Sequence, residues 1–201
     1  MKWIIGIDEV GRGPLAGPVY ICVVAIPLVA YKKGHWHTGT YQLTDSKKMA
    51  KRAREYWYER AKQMKDTNSV SYALASRSAS AIDKKGISLC IRECIHVALE
   101  TLALNPDNCI VLLDGGLKAP LQYKQQKTII KGDLIEKAIS LASVVAKVTR
   151  DSVMERLHKK YPLYHWAQNK GYGTSLHYKA LLALGPTPYH RKSFLKRVLD
   201  K

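Results

Sequence analysis

No apolar stretch in this 201-residue chain approaches the roughly 20 residues needed to cross a bilayer. The longest candidate, Val19 to Ala30, is too short and contains Pro27, which argues against membrane insertion. Cysteine is sparse as well. Cys22, Cys90, Cys94 and Cys109 lack the paired spacing of a zinc site, so single buried thiols in a reducing cytosol are the expectation. Cys90 and Cys94 stand at i,i+4 on an expected helix, where core packing outweighs metal binding. Met1-Lys2-Trp3 opens like a secretory signal, yet the apolar run meets Asp8-Glu9 at once and no small-residue cleavage site follows. The chain therefore reads as cytoplasmic. It also lacks internal repeats, low-complexity tracts, a flexible interdomain linker, and a terminal Gln-rich, aromatic-ended peptide of the kind that docks on a sliding clamp.

Acid is the other shortage. The 16 Asp and Glu stand against 33 Lys and Arg, a net charge of +17, which is the footprint of a protein that meets a phosphate backbone. Charge alone leaves an ordinary solvated basic surface or a ribosome-associated structural protein in play. What separates these readings is where the few acids fall. Asp8 and Glu9 follow Trp3-Ile4-Ile5-Gly6-Ile7, Asp114 follows Ile110-Val111-Leu112-Leu113, and Asp133 follows Ile129-Ile130-Lys131-Gly132. A carboxylate beside a buried strand is costly unless a cation, donor or water compensates it, and several converging on one sheet edge repel one another without a divalent ion. Oxygen-only ligands favour magnesium or manganese.

Hydrophobic residues make up 46% of the chain, ample for a core in one large domain over 1–201. Lys2 to Ile7 and Val19 to Ile26, rich in Ile and Val, predict neighbouring strands joined by the turn that Gly11-Arg12-Gly13-Pro14 forces. A long surface loop to Leu43 is expected next, with His35 to Thr40 as its polar part. Asp45-Ser46 is then read as the cap of a helix over Lys47 to Lys65. Ser69 to Ala75 alternates Val70, Tyr72 and Leu74, a strand period, and Ser80 to Leu104 carries a helical apolar stripe. Cys109 to Leu113 and Lys127 to Lys131 predict two further strands. Ile135 to Leu157 predicts a helix with Ala138, Leu141, Ala142, Val145, Ala146 and Val148 inward, and the remainder reads as short helices and loops.

Each motif has a plain structural explanation beside the chemical one. A tight turn explains the glycines of Asp8-Glu9-Val10-Gly11-Arg12-Gly13-Pro14 but not two acids beside an Arg, which can point at phosphate from an uncrowded backbone. Asp114-Gly115 alone would be a turn start, and Asp133 with Glu136 resembles an acid-containing helix cap. Thr44-Asp45-Ser46-Lys47-Lys48 and Ser143 to Asp151 supply hydroxyls and cations that grip phosphates, although Lys147 or Arg150 alone would suit a solvated helix face. Tyr172, between Gly171 and Gly173, has room to stack on a sugar or base, against a packing role as the alternative. His177 and His190-Arg191-Lys192-Ser193-Phe194 belong either to the site or to the surface charge.

Taken in order, these segments resemble ribonuclease HII. The likeness runs from Ile5 to Phe194, through Gly6-Ile7-Asp8-Glu9-Val10-Gly11-Arg12-Gly13-Pro14-Leu15-Ala16-Gly17-Pro18, Asp45-Ser46-Lys47-Lys48, Leu113-Asp114-Gly115, Lys131-Gly132-Asp133, Ala146-Lys147-Val148-Thr149-Arg150-Asp151, Asn169-Lys170-Gly171-Tyr172-Gly173-Thr174 and His190-Arg191-Lys192-Ser193-Phe194. Arg12 between its glycines matches the HII type, where the related HIII type is expected to carry Lys and an additional N-terminal domain. Met49 stands where Leu is usual, and Gly116 where Asn is common.

The resemblance implies an α/β ribonuclease H-like fold: a five-stranded mixed sheet flanked by helices over roughly 1–157, and a helical C-terminal portion over roughly 158–201. It implies Asp8, Glu9, Asp114 and Asp133 as catalytic, metal-binding acids using two Mg2+ or Mn2+ ions. By the same resemblance Gly11, Arg12 and Gly13 sense a ribonucleotide 2′-hydroxyl, Tyr172 packs on the adjoining deoxyribose, and Ser46, Lys47, Ser143 and Lys147 contact phosphates. The implied substrates are RNA/DNA hybrids and duplex DNA containing ribonucleotides, cut by a monomer to leave 5′-phosphate and 3′-hydroxyl ends. Two rivals remain at this point: another nuclease of the superfamily such as a junction resolvase, and a basic nucleic-acid-binding module for which the acids are dispensable.

Overall fold

The computed structural model describes residues 1–34, 37–38 and 41–199. Strands β1 (Trp3–Val10) and β2 (Val19–Pro27) pair antiparallel, as their β-branched runs predict, with Trp3 opposite Pro27 and Val10 opposite Tyr20. β1 runs three residues beyond Ile7, so Asp8 and Glu9 belong to the strand rather than following it.

The expected loop to Leu43 is partly ordered into α1 (Leu28–Lys33) and a small hairpin of β3 (His37–Thr38) and β4 (Tyr41–Gln42). Of the His35 to Thr40 loop, His35, Trp36, Gly39 and Thr40 lie outside the described residues. The next helix, α2 (Lys51–Asp66), starts later than Lys47 and has no side-chain cap. Asp45 closes a turn instead. Its Oδ1 accepts from Lys47 N at 2.8 Å, while its carbonyl accepts from Lys48 N and Met49 N. A short carboxylate that binds nearby N–H groups offers the backbone an alternative to helix, which is why the helix waits for Lys51.

Strand β5 (Ser71–Arg77) joins the free edge of β2 antiparallel. The helix expected over Ser80 to Leu104 is two helices, α3 (Ala79–Lys85) and α4 (Ile87–Leu102), divided at Gly86 with φ +79°. Strands β6 (Cys109–Asp114) and β7 (Gln125–Ile129) run parallel to β1, giving a five-stranded mixed sheet in the order β5-β2-β1-β6-β7. β7 ends before Ile130, so Asp133 lies not at a strand end but in the single turn α5 (Gly132–Ile135). Nor is Asp133 the cap of that turn: Lys131, in the left-handed region at φ 55°, holds the position.

The long helix α6 (Lys137–Lys160) and α2 cover one sheet face, with Trp57, Leu141 and Val145 in that core, while α4 covers the other with Ile91, Ile95 and Leu99. A β-carbon on Gly6 would sit 2.1 Å from the Ala138 carbonyl carbon, so glycine lets α6 rest its backbone directly on β1. That contact carries Ser143 and Lys147 to the carboxyl end of the sheet. The chain closes with α7 (Trp166–Asn169), α8 (Ser175–Leu184) and α9 (Lys192–Leu199), whose own core joins Trp166, Leu181 and Leu195 to Leu15 and Ala16 from the β1–β2 turn. Among the described residues no helix is long and apolar enough to cross a membrane. All four cysteines are free and buried.

Candidate active site

Parallel pairing brings the acids together. Ile7 is registered with Leu113, so Asp8 and Asp114 follow side by side at the ends of β1 and β6. Asp114 Oδ1 accepts from Gly132 N at 2.8 Å, which ties the turn carrying Asp133 to the same edge. Asp8 is 5% exposed, and its Oδ1 accepts from Glu9 N at 2.7 Å. Burial, with Glu9 and Asp114 beside it, pushes the Asp8 carboxyl up to about 7 against the help of Ser143. Burial raises Glu9 as well, with Asp114 adding to it and Arg12 opposing. Asp133 is raised by burial and by Asp45 and Asp114. Lys47 responds in the other sense: burial pulls it down, yet Asp8, Asp133, Asp45 and Asp114 together hold it above its ordinary value. These side chains feel one another, although among the described residues no three of them are already drawn into a metal-holding set.

Glu9, Ser46, Lys47, Ser143, Lys147 and Tyr172 line one cleft of about 380 Å³. The hydroxyls of Ser46 and Ser143 are 2.8 Å apart, linking the turn after β4 to α6. Arg54, on α2, donates to the Ser46 carbonyl at 3.0 Å and to that of Met49, and so braces the turn that presents Ser46 and Lys47. Lys147 is held by Asp151 at 2.8 Å. Tyr172 is 43% exposed, which settles its ring as a surface of the cleft rather than a packing element. Every residue expected to contact substrate except Gly11, Arg12 and Gly13 thus lines this cleft, and those three follow Glu9 and Val10 of its wall.

Arg12 is exposed and pairs with Glu9 at 3.6 Å. Behind its loop lie two fully buried arginines, for which the sequence left a solvated helix face open at Arg150 and either the site or surface charge open at Arg191. Arg150 is not on a solvated face: it donates to the carbonyls of Pro18 (2.9 Å), Lys170 (2.9 Å) and Ala16 (3.1 Å). Arg191 is not surface charge: it binds the carbonyls of Gly11, Arg12 and Gly17. Burial lowers both, and the Arg150 charge helps bring Arg191 down to about 9, which leaves Arg191 cationic at neutral pH. Leu15 N and Ala16 N both donate to the Gly171 carbonyl, which fastens this loop to the one bearing Tyr172.

His177 and His190 are buried too, and their bonds fix their protons. Trp166 Nε1 can only donate, so His177 Nε2 accepts, and its Nδ1–H donates to the Tyr172 carbonyl at 2.9 Å. His190 Nε2 must then donate to His177 Nε2 at 3.0 Å, leaving its Nδ1 to accept from Thr187 N. Burial, and then His177, press His190 down to about 4. Asp45, 8% exposed, is a further buried acid beside the site. Its signal in the sequence was that of a cap.

The fold matches a ribonuclease H2 from Pyrococcus horikoshii OT3, 21% identical at a TM-score of 0.72 and covering 98% of this chain and 97% of that one. It also matches a Bst-RNase HIII in complex with Mn2+, 16% identical with a TM-score of 0.70, over 99% of this chain and 70% of that one. A ribonuclease HII of Clostridium perfringens (strain ATCC 13124) is 39% identical, the match spanning 98% of this chain and 68% of its relative. The model of the family described as ribonuclease HII covers residues 5–197, from early in β1 into α9. Sequence and architecture agree that the chain belongs to the ribonuclease HII family and is a ribonuclease H.

Proposed function

We propose that this ribonuclease H is a metal-dependent endonuclease that cuts the RNA strand of RNA/DNA hybrids and cuts 5′ of ribonucleotides embedded in duplex DNA, acting as a monomer over a single catalytic domain. The observation that carries this reading is the gathering of Asp8, Glu9, Asp114 and Asp133 at one edge of the sheet, where burial and neighbouring acids raise Asp8, Glu9 and Asp133, next to a cleft of hydroxyls and cations. Carboxylates that burial and mutual repulsion push toward neutrality are oxygen donors awaiting a cation, and no softer ligand accompanies them. The residues therefore fit a divalent metal, Mg2+ or Mn2+, held by Asp8, Glu9, Asp114 and Asp133. Two such ions supply an activated water and charge stabilisation for the leaving 3′-oxygen.

The remaining work falls to the chain. Ser46, Lys47, Ser143 and Lys147 seat the phosphates along the cleft, Gly11, Arg12 and Gly13 read the 2′-hydroxyl, and the Tyr172 ring lies against the deoxyribose that follows. The 2′-hydroxyl is recognised rather than consumed, so the products carry 5′-phosphate and 3′-hydroxyl ends. Cleavage mapping on a DNA duplex with one ribonucleotide is the test. The expected cut lies immediately 5′ of that ribonucleotide, with an all-DNA duplex resistant. A cut elsewhere or a cyclic phosphate end would overturn the reading, and strand-exchange junctions cut in preference would favour a resolvase instead.

A further inference from the structure

The Arg191 guanidinium is fully buried and solvated by backbone alone: Nη2 donates to the Gly11 carbonyl at 2.6 Å and to that of Gly17 at 2.9 Å, Nη1 to that of Arg12 at 2.9 Å, and Nε to Gly17 at 3.1 Å. Its own segment is anchored. Arg191 N donates to the Leu15 carbonyl at 2.8 Å, the Phe194 ring lies 5.2 Å from the guanidinium carbon, and Asp83 holds Lys192 N, Ser193 N and the Ser193 hydroxyl.

This arrangement dictates where the loop's donors point. The peptides are trans, and in a planar trans peptide the carbonyl and the N–H face opposite ways. With the Gly11 and Arg12 carbonyls turned in to Arg191, the N–H groups of Arg12 and Gly13 are turned out. Neither has a protein acceptor among the described residues. Two adjacent outward N–H groups suit a single oxygen acceptor.

We propose that Arg191 is a positioning residue for ribonucleotide recognition: by holding the Gly11 and Arg12 carbonyls it aims the Arg12 and Gly13 N–H groups at the 2′-oxygen of the bound nucleotide. The inference rests on the reading of Gly11, Arg12 and Gly13 as the ribose-sensing loop. Lysine cannot substitute, because a single ammonium on a flexible stem lacks the fixed fork that spans both peptide planes. Arg150 provides an internal control. It is as deeply buried and packs against Gly11, yet it hydrogen-bonds the carbonyls of Ala16, Pro18 and Lys170 and not those of Gly11 or Arg12.

The test measures affinity, in calcium, for a DNA duplex with one ribonucleotide and for the same duplex without it. The parent should prefer the first. Arg191→Lys should shrink that preference by roughly tenfold, the worth of one to two hydrogen bonds, while leaving all-DNA affinity as in the parent. Arg150→Lys should lower thermal stability but keep the preference. A folded Arg191→Lys that retains the parental preference overturns the proposal, and so does an Arg150→Lys that loses it to the same extent. Should Arg191→Lys not fold, Asp83→Ala frees the segment without touching the guanidinium and should lose part of the preference; full retention counts against the proposal. A parent with no preference removes the ribose-sensing reading itself and the inference with it, an outcome distinguishable because it appears before any substitution.

Discussion

At the carboxyl ends of β1 and β6, Asp8 and its neighbours bring like charges together, and burial with Glu9 and Asp114 beside it drives Asp8 up to about 7. Behind the β1–β2 turn, Arg150 and Arg191 are also like charges buried together, yet Arg150 has three carbonyl bonds and Arg191 four. The two regions answer the same cost differently. Carbonyl oxygens complete the arginine cluster before any ligand arrives, so the Gly11 to Gly13 loop is preorganised. The acid cluster keeps its like charges side by side, and on the proposed function a divalent cation would offset them. Buried charge bonded to carbonyls lies behind the loop proposed to read the nucleotide, and mutually repelling charge lies where the chemistry is proposed.

The largest effect should come from breaking the acid side. Asp8→Asn, Asp114→Asn and Asp133→Asn should each abolish most magnesium-dependent turnover, since an amide is a poorer ligand for a hard cation. Stability should move the other way. A carboxyl whose folded value lies above its unfolded one favours folding fully below the unfolded value of 3.8, and that contribution is lost as pH rises through about 7. Without metal at pH 8, Asp8→Asn should therefore be more stable than the parent, on the order of 2–4 kcal/mol by denaturant unfolding, with the gap closing in acid. Near-normal turnover, or an alkaline stability equal to the parent's, would take Asp8 out of the cluster.

The second effect has the opposite slope with pH and belongs to the recognition side. His190 is held neutral at about 4, below its ordinary 6.5, so its contribution is complete above 6.5 and disappears as pH falls through 4. His177, lowered by burial, acts in the same sense. Between pH 7 and 4 the parent should lose on the order of 2 kcal/mol through this pair, and His190→Gln should flatten that loss while starting from a lower stability. Because His177 holds the Tyr172 carbonyl, the acid limb of nucleotide binding should follow the same titration. An unfolding profile for His190→Gln parallel to the parent's would show that the pair does not titrate with folding.

How far these regions could be read in the sequence differs for a physical reason. The acids announced themselves, because Asp8, Asp114 and Asp133 each follow an apolar run in a chain short of acid. Which of them adjoin depended on register, and the pairing of Ile7 with Leu113 is a tertiary fact. The arginine cluster was hidden because Arg191 meets Gly11 across nearly the whole chain, and no local pattern encodes such a partner. Arg150 was more legible than it was read: Ala142, Ala146, Arg150 and Met154 recur every four residues, and all are buried on one face of α6. A charge on an apolar stripe is a buried charge with a partner. Helix limits failed where short-range bonds compete with helix, at Asp45, and where glycine permits a break, at Gly86.

The smallest effect concerns the seam between the regions. Lys147 faces the cleft but already spends its charge on Asp151 at 2.8 Å, both side chains 18% exposed. A free lysine that neutralises one phosphate adds about 0.9 to the log–log salt slope on duplex DNA. Lys147 must exchange a carboxylate for a phosphate, so only part of that counterion release is its own. Lys147→Ala should consequently flatten the slope by less than about 0.9, and Asp151→Asn, which frees the ammonium, should steepen it. Salt titrations of binding in calcium give both numbers. Equal slopes in all three proteins would make Lys147 a helix-surface ion pair that never meets substrate, and the cationic wall of the cleft would reduce to Lys47 and Arg54.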